Sequence, residues 1–539
     1  MPFCLLTEAW LPARRASGRL CWIAPAQIAG SASDPVVSLE WPRPDFQLAG
    51  LEFLIGLLAT TMAPEDHDAW CDFYNAPPSE ADLAAQFAPF APAFMLDGDG
   101  PRFMQDSEDF EVESNDAGAL LIEAPGENTI KRNTDLLVKR GQVEQLGRAA
   151  AAMALFTLQN YAPSGGAGNR TSLRGGGPLT TLAIPPRRSS QGSLWDQIWA
   201  NVPCGEPAAQ TDWPMVFPWL APTRLSDKTG RITTPVDAPP HLVWWATPRR
   251  IRLDFGANGN SDTCDLTGQI DSVIVTSWRQ RPWGANYQNW LHPLSPYYQG
   301  TGDAGWLPVH PQPGGINYQH WAGLLFADAA PGRKIAATIE TFRAKRARAI
   351  GRSKEPWRLL AGGFDMDNMK ARGFVESEMP VYEPADPKAA HMHDQFLTLL
   401  INAAAEVAKL LGRAVSRALY GEKSDVKFDA SPLSALRERF WTETEAEFYA
   451  RAAGPKLDLE DEASRKSWLR YIGKEALRLF HEAAPVDASG EGHPDRIAAA
   501  AKHLGLVLSG YGKDGEALFK ALMLPAPEKS VTRKKEKAA

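Results

Sequence analysis

The stretch whose residue types best fit a defined chemistry is Asn160 to Gly177, NYAPSGGAGNRTSLRGGG. It carries two arginines, Arg170 and Arg174, no acid, and glycines at 165, 166, 168 and 175 to 177. Glycine tolerates φ > 0 and puts no Cβ in the way of an approaching chain. Successive exposed N–H groups in such a loop form a concavity that attracts anions, and flanking guanidinium groups pair with phosphate in a planar, bidentate way. These residues fit a loop pressed against a phosphate-bearing partner; the plain alternative is a glycine-rich surface loop with no ligand. Neither GxxxxGK[ST] nor a helix-opening GxGxxG is present, so the loop is not a familiar nucleotide-binding signature.

Other candidate chemistry is thinner. HExxH, GxSxG and recognisable Cys/His pairings are absent from the sequence. Asp365 and Asp367 form a DxD pair without further spaced acids, and His391 with His393 opens a predicted helix, where exposed or capping roles suit them better than metal ligation. An enzyme reading survives only as a phosphate-binding transferase built on the glycine loop, or a metal-dependent nuclease built on Asp365 and Asp367. The main expectation is no catalysis, no cofactor and no metal.

The glycine loop must be delivered by an element, and Gly147 to Asn160 predicts an alanine-rich helix for that purpose. Phe46 to Met62 is apolar nearly all round and predicts a deeply buried helix. Strands are expected at Phe3 to Leu11, Leu20 to Ala24, Leu242 to Asp254 and Asp271 to Trp278, and a short helix at Glu80 to Phe87. Arg279 and Arg281 follow the last of those strands, braced by Trp278 and Trp283. Asp106 to Arg140 is polar with few apolar anchors and reads as a mobile loop; its basic end holds Lys131, Arg132, Asn133, Lys139 and Arg140. Arg333 to Arg352 reads as a basic helix, either a solvated face or a stripe that tracks a nucleic-acid backbone. Gly362 to Tyr382 predicts a hairpin with its tip near Asp365 to Lys370.

After the proline-bearing linker Tyr382 to Pro387 the pattern turns helical. Segments 391–420, 431–452, 460–484 and 494–522 carry apolar residues at helical spacing, which predicts a four-helix bundle. The fold class expected is α+β: a large mixed N-terminal domain with irregular loops over 1–384, the bundle over 385–525, and a disordered basic tail over 526–539.

Net charge is −7 over 539 residues, so bulk charge does not hold this chain on nucleic acid; any contact must come from local basic patches. Cys4, Cys21, Cys71, Cys204 and Cys264 are scattered without CxxC, which points to a reducing compartment. No apolar run is long enough to span a membrane and no signal peptide is visible, so a cytoplasmic protein is expected.

The run LFTLQNYAPSGGAGNRTSLRGGGPLTTL resembles the signature region of the CasA family, the large subunit of the type I-E CRISPR surveillance complex, Cascade. FCLLTEAWLPARRASG near the start, WLHPLSP at Trp290 to Pro296 and LAGGFDMDN at Leu360 to Asn368 resemble further family motifs. The resemblance implies a subunit that checks double-stranded DNA for a short motif beside the target, the PAM. It would also help open the duplex for guide-RNA pairing and recruit a separate helicase-nuclease. Placed by motif, the family's glycine loop falls at Ser164, Gly165, Gly166, Ala167 and Gly168, its basic finger at Arg279 or Arg281, and its wedge at Asn368 with Met369 beside it. The family often has Gln at the wedge, and Asn368 is shorter. The loop holding Lys131, Arg132, Asn133, Lys139 and Arg140 would touch guide RNA or DNA. Some members carry a cysteine cluster suited to zinc near Asn258 to Gln269; Cys264 alone cannot make a tetrahedral site. Implied partners are target DNA, guide RNA, the other Cascade subunits and the helicase-nuclease, with no membrane.

Overall fold

A computed structural model describes residues 2–30, 33–135, 140–166, 168–186, 192–227, 230–302, 304–326, 331–351, 355–367, 369–383, 386–421, 432–454, 459, 461–486, 493–525 and 527. The chain divides into two compact units, Met1–Gly315 with Ala330–Val381, and Ile316–Ala329 with Tyr382–Ala539.

Helix and strand are mixed through the first unit. Its centre is the helix Pro44–Thr61, in which all residues but Pro44 and Gln47 are buried. Such all-round burial follows from a sequence with no polar face. Phe53 on this core helix meets the rings of Trp10, Phe94, Phe103, Phe156 and Trp245 edge-on, at centroid distances of 5.2 to 6.1 Å. Edge-to-face packing of this kind favours aromatic rings over aliphatic filler. The helix Arg148–Tyr161 packs on the core helix and ends where the glycine loop begins. Its first residue fixes its orientation: the Arg148 guanidinium binds the Asp271 carboxylate at 2.7 Å and lies over the Phe3 ring.

Two hairpins complete the frame. Arg250–Thr263 pairs antiparallel with Ile270–Arg281, and the two-residue strands Asn115–Asp116 and Leu146–Gly147 add to the outer edge of Ile270–Arg281. Trp357–Asp367 pairs with Lys370–Val381 on one side and with Thr180–Ile184 on the other. Smaller three-stranded sheets join Leu20–Ile23, Leu11–Arg15 and Val36–Leu39, and Trp306–Pro308, Tyr297–Gln299 and Arg333–Lys334.

Several expectations need correction. Phe3 to Leu11 is not a strand: Leu5 and Leu6 are buried in a turn, the Trp10 indole N–H donates to the Leu5 carbonyl at 2.7 Å, and the first strand starts at Leu11. Leu242 to Asp254 divides into a short helix, Leu242–Trp245, and a strand that begins at Arg250. A short run buried on all sides does not distinguish helix from strand by periodicity. Arg279 and Arg281 lie inside the strand Ile270–Arg281, not after it. The predicted basic helix 333–352 is a two-residue strand and then helix from Ala337 to Ile350, with a π-helical turn at Phe342–Arg346. The extra residue in that turn rotates Arg346 inward. It is fully buried, lies over the Trp70 ring at 4.8 Å, and donates to the carbonyls of Ala200 and Val202 at 2.8 and 2.6 Å. Burial pushes its pKa down to about 10. The polar stretch from Asp106 is also anchored, by buried Asp106, Phe110, Ala117, Leu120 and Ile122.

Among the described residues the second unit is helical. Pro387–Tyr420 runs through it and packs against Tyr318–Leu325, Pro432–Ala452, Glu462–Ala483, Pro494–Leu508 and Gly512–Ala521. The fourth expected helix breaks between Leu508 and Gly512, where Gly510 and Gly512 take φ of +90° and +77°. A helix from far upstream also joins the group: Tyr318 stacks on Phe448 at 4.5 Å and its hydroxyl shares a hydrogen bond with Thr444 at 2.8 Å. The long helix is apolar enough to cross a bilayer by length and composition, but Phe396, Leu400, Val407 and Leu411 are buried within the unit. His393 is buried rather than solvent-facing and contacts the carbonyl of Ala452, the last residue of the helix Pro432–Ala452, at 3.1 Å; His391 is exposed. The tail expected to be disordered lies, except for Pro527, outside the described residues.

Phe53→Ala removes the ring on which five others converge. It is expected to destabilise the first unit by about 3–5 kcal/mol, the scale of a buried Phe truncation. Urea unfolding followed by near-ultraviolet circular dichroism checks this, and an effect below about 1 kcal/mol would place the core elsewhere.

Candidate nucleic-acid interface

The glycine loop leaves the helix Arg148–Tyr161 and is closed at its base by two backbone hydrogen bonds, Gly177 N–H to the Tyr161 carbonyl at 2.9 Å and Ser172 N–H to the Ala162 carbonyl at 3.1 Å. Both sides of that base reach one carboxylate on the core helix. The Tyr161 hydroxyl donates to Glu52 Oε1 at 2.5 Å, and Arg174 Nη2 binds Glu52 Oε2 at 2.7 Å. Thr180 also donates to Glu52, while Arg174 Nη1 donates to Thr180 Oγ1 at 2.9 Å and Ser295 Oγ at 3.2 Å. Arg174 is therefore not a flanking cation for phosphate, as its place in sequence suggests; its guanidinium is buried and spoken for. Burial pushes the Tyr161 hydroxyl pKa well above its usual value, reinforced by the charge of Glu52.

The outer turn is tighter. Gly165 N–H donates to the Asn169 carbonyl at 3.2 Å and Asn169 N–H to the Gly166 carbonyl at 2.7 Å. Gly166 and Gly168 take φ of +64° and +84°. A Cβ on Gly168 would sit 2.7 Å from the Trp283 ring, whereas one on Gly166 would meet nothing within 4 Å. Ser164, Gly165 and Gly166 are exposed; Ala167 lies outside the described residues. Behind the turn, Arg249 donates to the carbonyls of Arg170 and Pro163 at 2.8 and 2.5 Å. Burial pushes its pKa down to about 10. Arg170 lies over the Trp283 ring at 5.3 Å and binds Ser226 at 2.8 Å.

The loop joins the two hairpins. On one side Trp283 N–H donates to the Gly168 carbonyl at 2.9 Å, and Gln280 Nε2 donates to Asn169 Oδ1 at 2.5 Å. On the other, a Cβ on Gly177 would fall 2.6 Å from the Phe364 carbonyl. Only glycine permits that approach.

Arg279 and Arg281 share one face of the first hairpin with Arg250 and Arg252. Arg250 stands opposite Arg281 and Arg252 opposite Arg279, and residues two apart along a strand face the same way. Arg250 and Arg252 in these roles were not singled out from sequence; strand parity would have found them once the register was known. The face is covered by the acidic stretch 106–113. Arg250 pairs with Asp106 at 2.6 Å and Glu108 at 2.8 Å, and Arg279 pairs with Asp109 and Asp254, each at 2.8 Å. The side-chain hydrogen bond to Asp254, together with the nearby acids, raises the Arg279 pKa above its ordinary value. Arg281 lies over the Phe110 ring at 5.2 Å.

The tip of the second hairpin follows the pairing of Asp367 with Lys370. Asn368 lies outside the described residues, and Met369 is 47% exposed. The DxD pair is not free for metal: Arg372 grips Asp365 with bonds of 2.7 and 3.0 Å and stands 3.9 Å from Asp367. That removes one of the two carboxylates on which a nuclease reading depends. In the polar loop, Lys131, Arg132 and Asn133 are exposed and Lys139 lies outside the described residues. Arg140 is engaged locally, with Asp135 at 2.5 Å and the Asn133 side chain at 3.1 Å.

The family model of the CRISPR-associated protein Cse1 matches residues 5–479. The fold is similar to that of CasA from Thermus thermophilus, with a TM-score of 0.68 at 18% identity, covering 95% of this chain and 100% of the other. Cse1 from Thermobifida fusca gives a TM-score of 0.64 at 19% identity, covering 97% and 99%. A chain of a CRISPR RNA-guided surveillance complex gives 0.68 at 16% identity, covering 94% and 99%.

Glu52→Gln would leave the buried Arg174 guanidinium without a counter-charge. A loss of about 3–5 kcal/mol is expected, as for breaking one partner of a buried pair. Glu52→Leu combined with Arg174→Met should recover the part due to the unpaired charge, because the Tyr161 and Thr180 hydroxyls, 3.2 Å apart, can still hydrogen-bond one another. Denaturant titrations of the two variants check the claim, and a double variant no more stable than Glu52→Gln would count against it.

Proposed function

Because the chain belongs to the CRISPR-associated Cse1 family, we propose that it is the large, non-catalytic subunit of a type I-E CRISPR surveillance complex in the cytoplasm. In this role it reads the PAM in double-stranded DNA, helps open the duplex so that guide RNA can pair, and recruits the helicase-nuclease that cuts. Its partners are target DNA, guide RNA, the other Cascade subunits and that nuclease; the C-terminal helices help hold the displaced strand. Base pairing supplies most of the sequence specificity in such systems, and protein reads the short motif and backbone shape.

The observation that carries this reading is the joint described above. One glycine loop touches the arginine hairpin through Gly168 and Trp283 and the second hairpin through Gly177 and Phe364. Docking, minor-groove reading and strand separation then belong to one connected piece of structure. Ser164, Gly165, Gly166, Ala167 and Gly168 contact the DNA backbone, Arg279 or Arg281 enters the minor groove, and Asn368 with Met369 acts as the wedge. Narrow minor grooves favour inserted arginine. Lys131, Arg132, Asn133, Lys139 and Arg140 contact guide RNA or DNA. A recognition subunit binds DNA in EDTA, whereas a transferase or metal-dependent nuclease would require a divalent metal for turnover.

Electrophoretic titration of the assembled complex tests docking. Arg279→Ala with Arg281→Ala is expected to weaken PAM-duplex binding by about 1–3 kcal/mol, the range for a good base-edge contact. Gly166→Asp places a carboxylate on the open side of the turn and is expected to abolish target binding while leaving folding and assembly intact. Wild-type affinity in both variants would return the loop and the arginines to purely structural roles.

The wedge acts on opening rather than docking, because inserting between base steps carries an unstacking cost of a few kcal/mol. Asn368→Ala with Met369→Ala is expected to slow R-loop formation on linear duplex, less so on negatively supercoiled DNA, and least on a target with pre-opened bases. Permanganate footprinting measures the rates. Equal slowing on the pre-opened target would assign the tip to docking or folding.

A further inference from the structure

The arginine face of the hairpin is an unusual arrangement for a free-standing protein. Like charges directly opposite across two strands repel, and here two such pairs, Arg250 with Arg281 and Arg252 with Arg279, are adjacent. Ile251 and Leu253 on the reverse face are buried in the core, so the ribbon cannot turn over to separate them. What neutralises the ladder is a strap of the same chain, DSEDFEVE at 106–113. The strap has no helix or strand from 107 to 114. Its root is fixed: Asp106 is buried, and the Phe110 ring lies between Arg250 and Arg281, 5.7 and 5.2 Å from their guanidinium carbons. Its outer carboxylates are not, since the side chains of Glu108 and Asp109 are 55% and 69% exposed. The strap also leaves donors over. Arg252 Nε is buried without a hydrogen-bond partner among the described residues, although Nη1 donates to the Asp106 carbonyl at 3.0 Å. Among the described residues, Arg281 contributes only its contact with the Phe110 ring.

We propose that the exposed end of this ladder, Arg279 with Arg252 beside it, binds the phosphate backbone of duplex DNA, leaving Arg281 as the finger, and that the strap is its built-in competitor, with the Asp109 carboxylate standing where a phosphate sits in the bound state. The proposal rests on the recognition role given above and adds Arg252 to it, while Arg250 stays paired with buried Asp106 and holds the root of the strap. An exposed ion pair such as Arg279 with Asp109 is weak. A phosphate array that releases counter-ions on binding can therefore take its place, while Asp106 and Phe110 keep the strap attached for its return. The strap raises the threshold for non-specific binding in a chain that must sample much DNA.

The test uses the full chain and a duplex of arbitrary sequence, with affinity measured by fluorescence anisotropy across a salt series. Asp109→Asn is isosteric and exposed, so folding is not in question. It is expected to tighten binding roughly threefold, the scale of one exposed ion pair, and to steepen the salt slope by about one phosphate contact. In an Arg279→Gln background, where the hairpin keeps a donor for Asp254, the gain should vanish. Asp68→Asn, an equal charge change on an exposed residue elsewhere, should have little effect. No tightening, or the same tightening in the Arg279→Gln background or with Asp68→Asn, overturns the proposal. The assembled complex separates this from the recognition reading. Loss of PAM preference in Arg279→Ala with Arg281→Ala, without any effect of Asp109→Asn, overturns the strap alone. Unchanged PAM preference, with the coupling between Asp109 and Arg279 intact, overturns the finger alone.

Discussion

The site depends on one buried carboxylate. Glu52 is carried by the core helix and is 2% exposed, with Arg174, Tyr161 and Thr180 all directed at it. A buried ion pair contributes little net stability, because desolvation cancels most of the attraction. Its effect is positional. Neither Arg174 nor Tyr161 can leave Glu52 without stranding a charge or a hydroxyl in the core, so the two ends of the glycine loop are held at a fixed separation. Burial lowers the Arg174 pKa, but the Glu52 charge outweighs it and the net shift is upward. The guanidinium stays charged at any ordinary pH, and the loop keeps its base.

The arginines downstream show how strand parity turns a charge cluster into several distinct roles. Arg249, Arg250 and Arg252 lie within four residues. Arg249 points back at the loop and satisfies two carbonyls, those of Pro163 and Arg170. Arg250 and Arg252 face the strap with Arg279 and Arg281. Asp254 on the hairpin itself and buried Asp106 neutralise part of this face permanently, whereas Glu108 and Asp109 sit on an irregular segment with exposed carboxylates.

What could be read from the sequence was mostly local. The all-round apolar helix, the alanine-rich helix before the loop and the hairpin before residue 382 are set by short-range patterns, and their boundaries fall within a few residues of those expected, save that the hairpin starts earlier, at Trp357. What could not be read was mostly long-range. Arg174 looks like a ligand-facing cation until Glu52, 122 residues away, is seen beside it. Arg346 looks solvated within a run of cations until the π-helical turn moves it over Trp70. The acidic stretch reads as part of a mobile loop because its complement lies 142 to 170 residues downstream. A charge has the same appearance in sequence whether its partner is water or a distant residue, and only the fold decides.

The same distinction applies within the glycine loop itself. Glycine at 168 is required by the Trp283 ring, at 176 by Pro163, whose Cα would lie 2.7 Å from a Cβ there, and at 177 by the Phe364 carbonyl. These positions serve close packing inside the protein, which accounts for much of the composition that first suggested a phosphate partner. Gly165 has Asn169 within 2.7 Å of its missing Cβ and is internally constrained too. Gly166 is different: its φ of +64° needs glycine or a residue that accepts the left-handed region, and the space outside it is open. A partner that needs close backbone approach therefore has a narrow place to make it, the exposed run Ser164 to Gly166. The remaining glycines pack that run beside two hairpins, so that the surface left open is small.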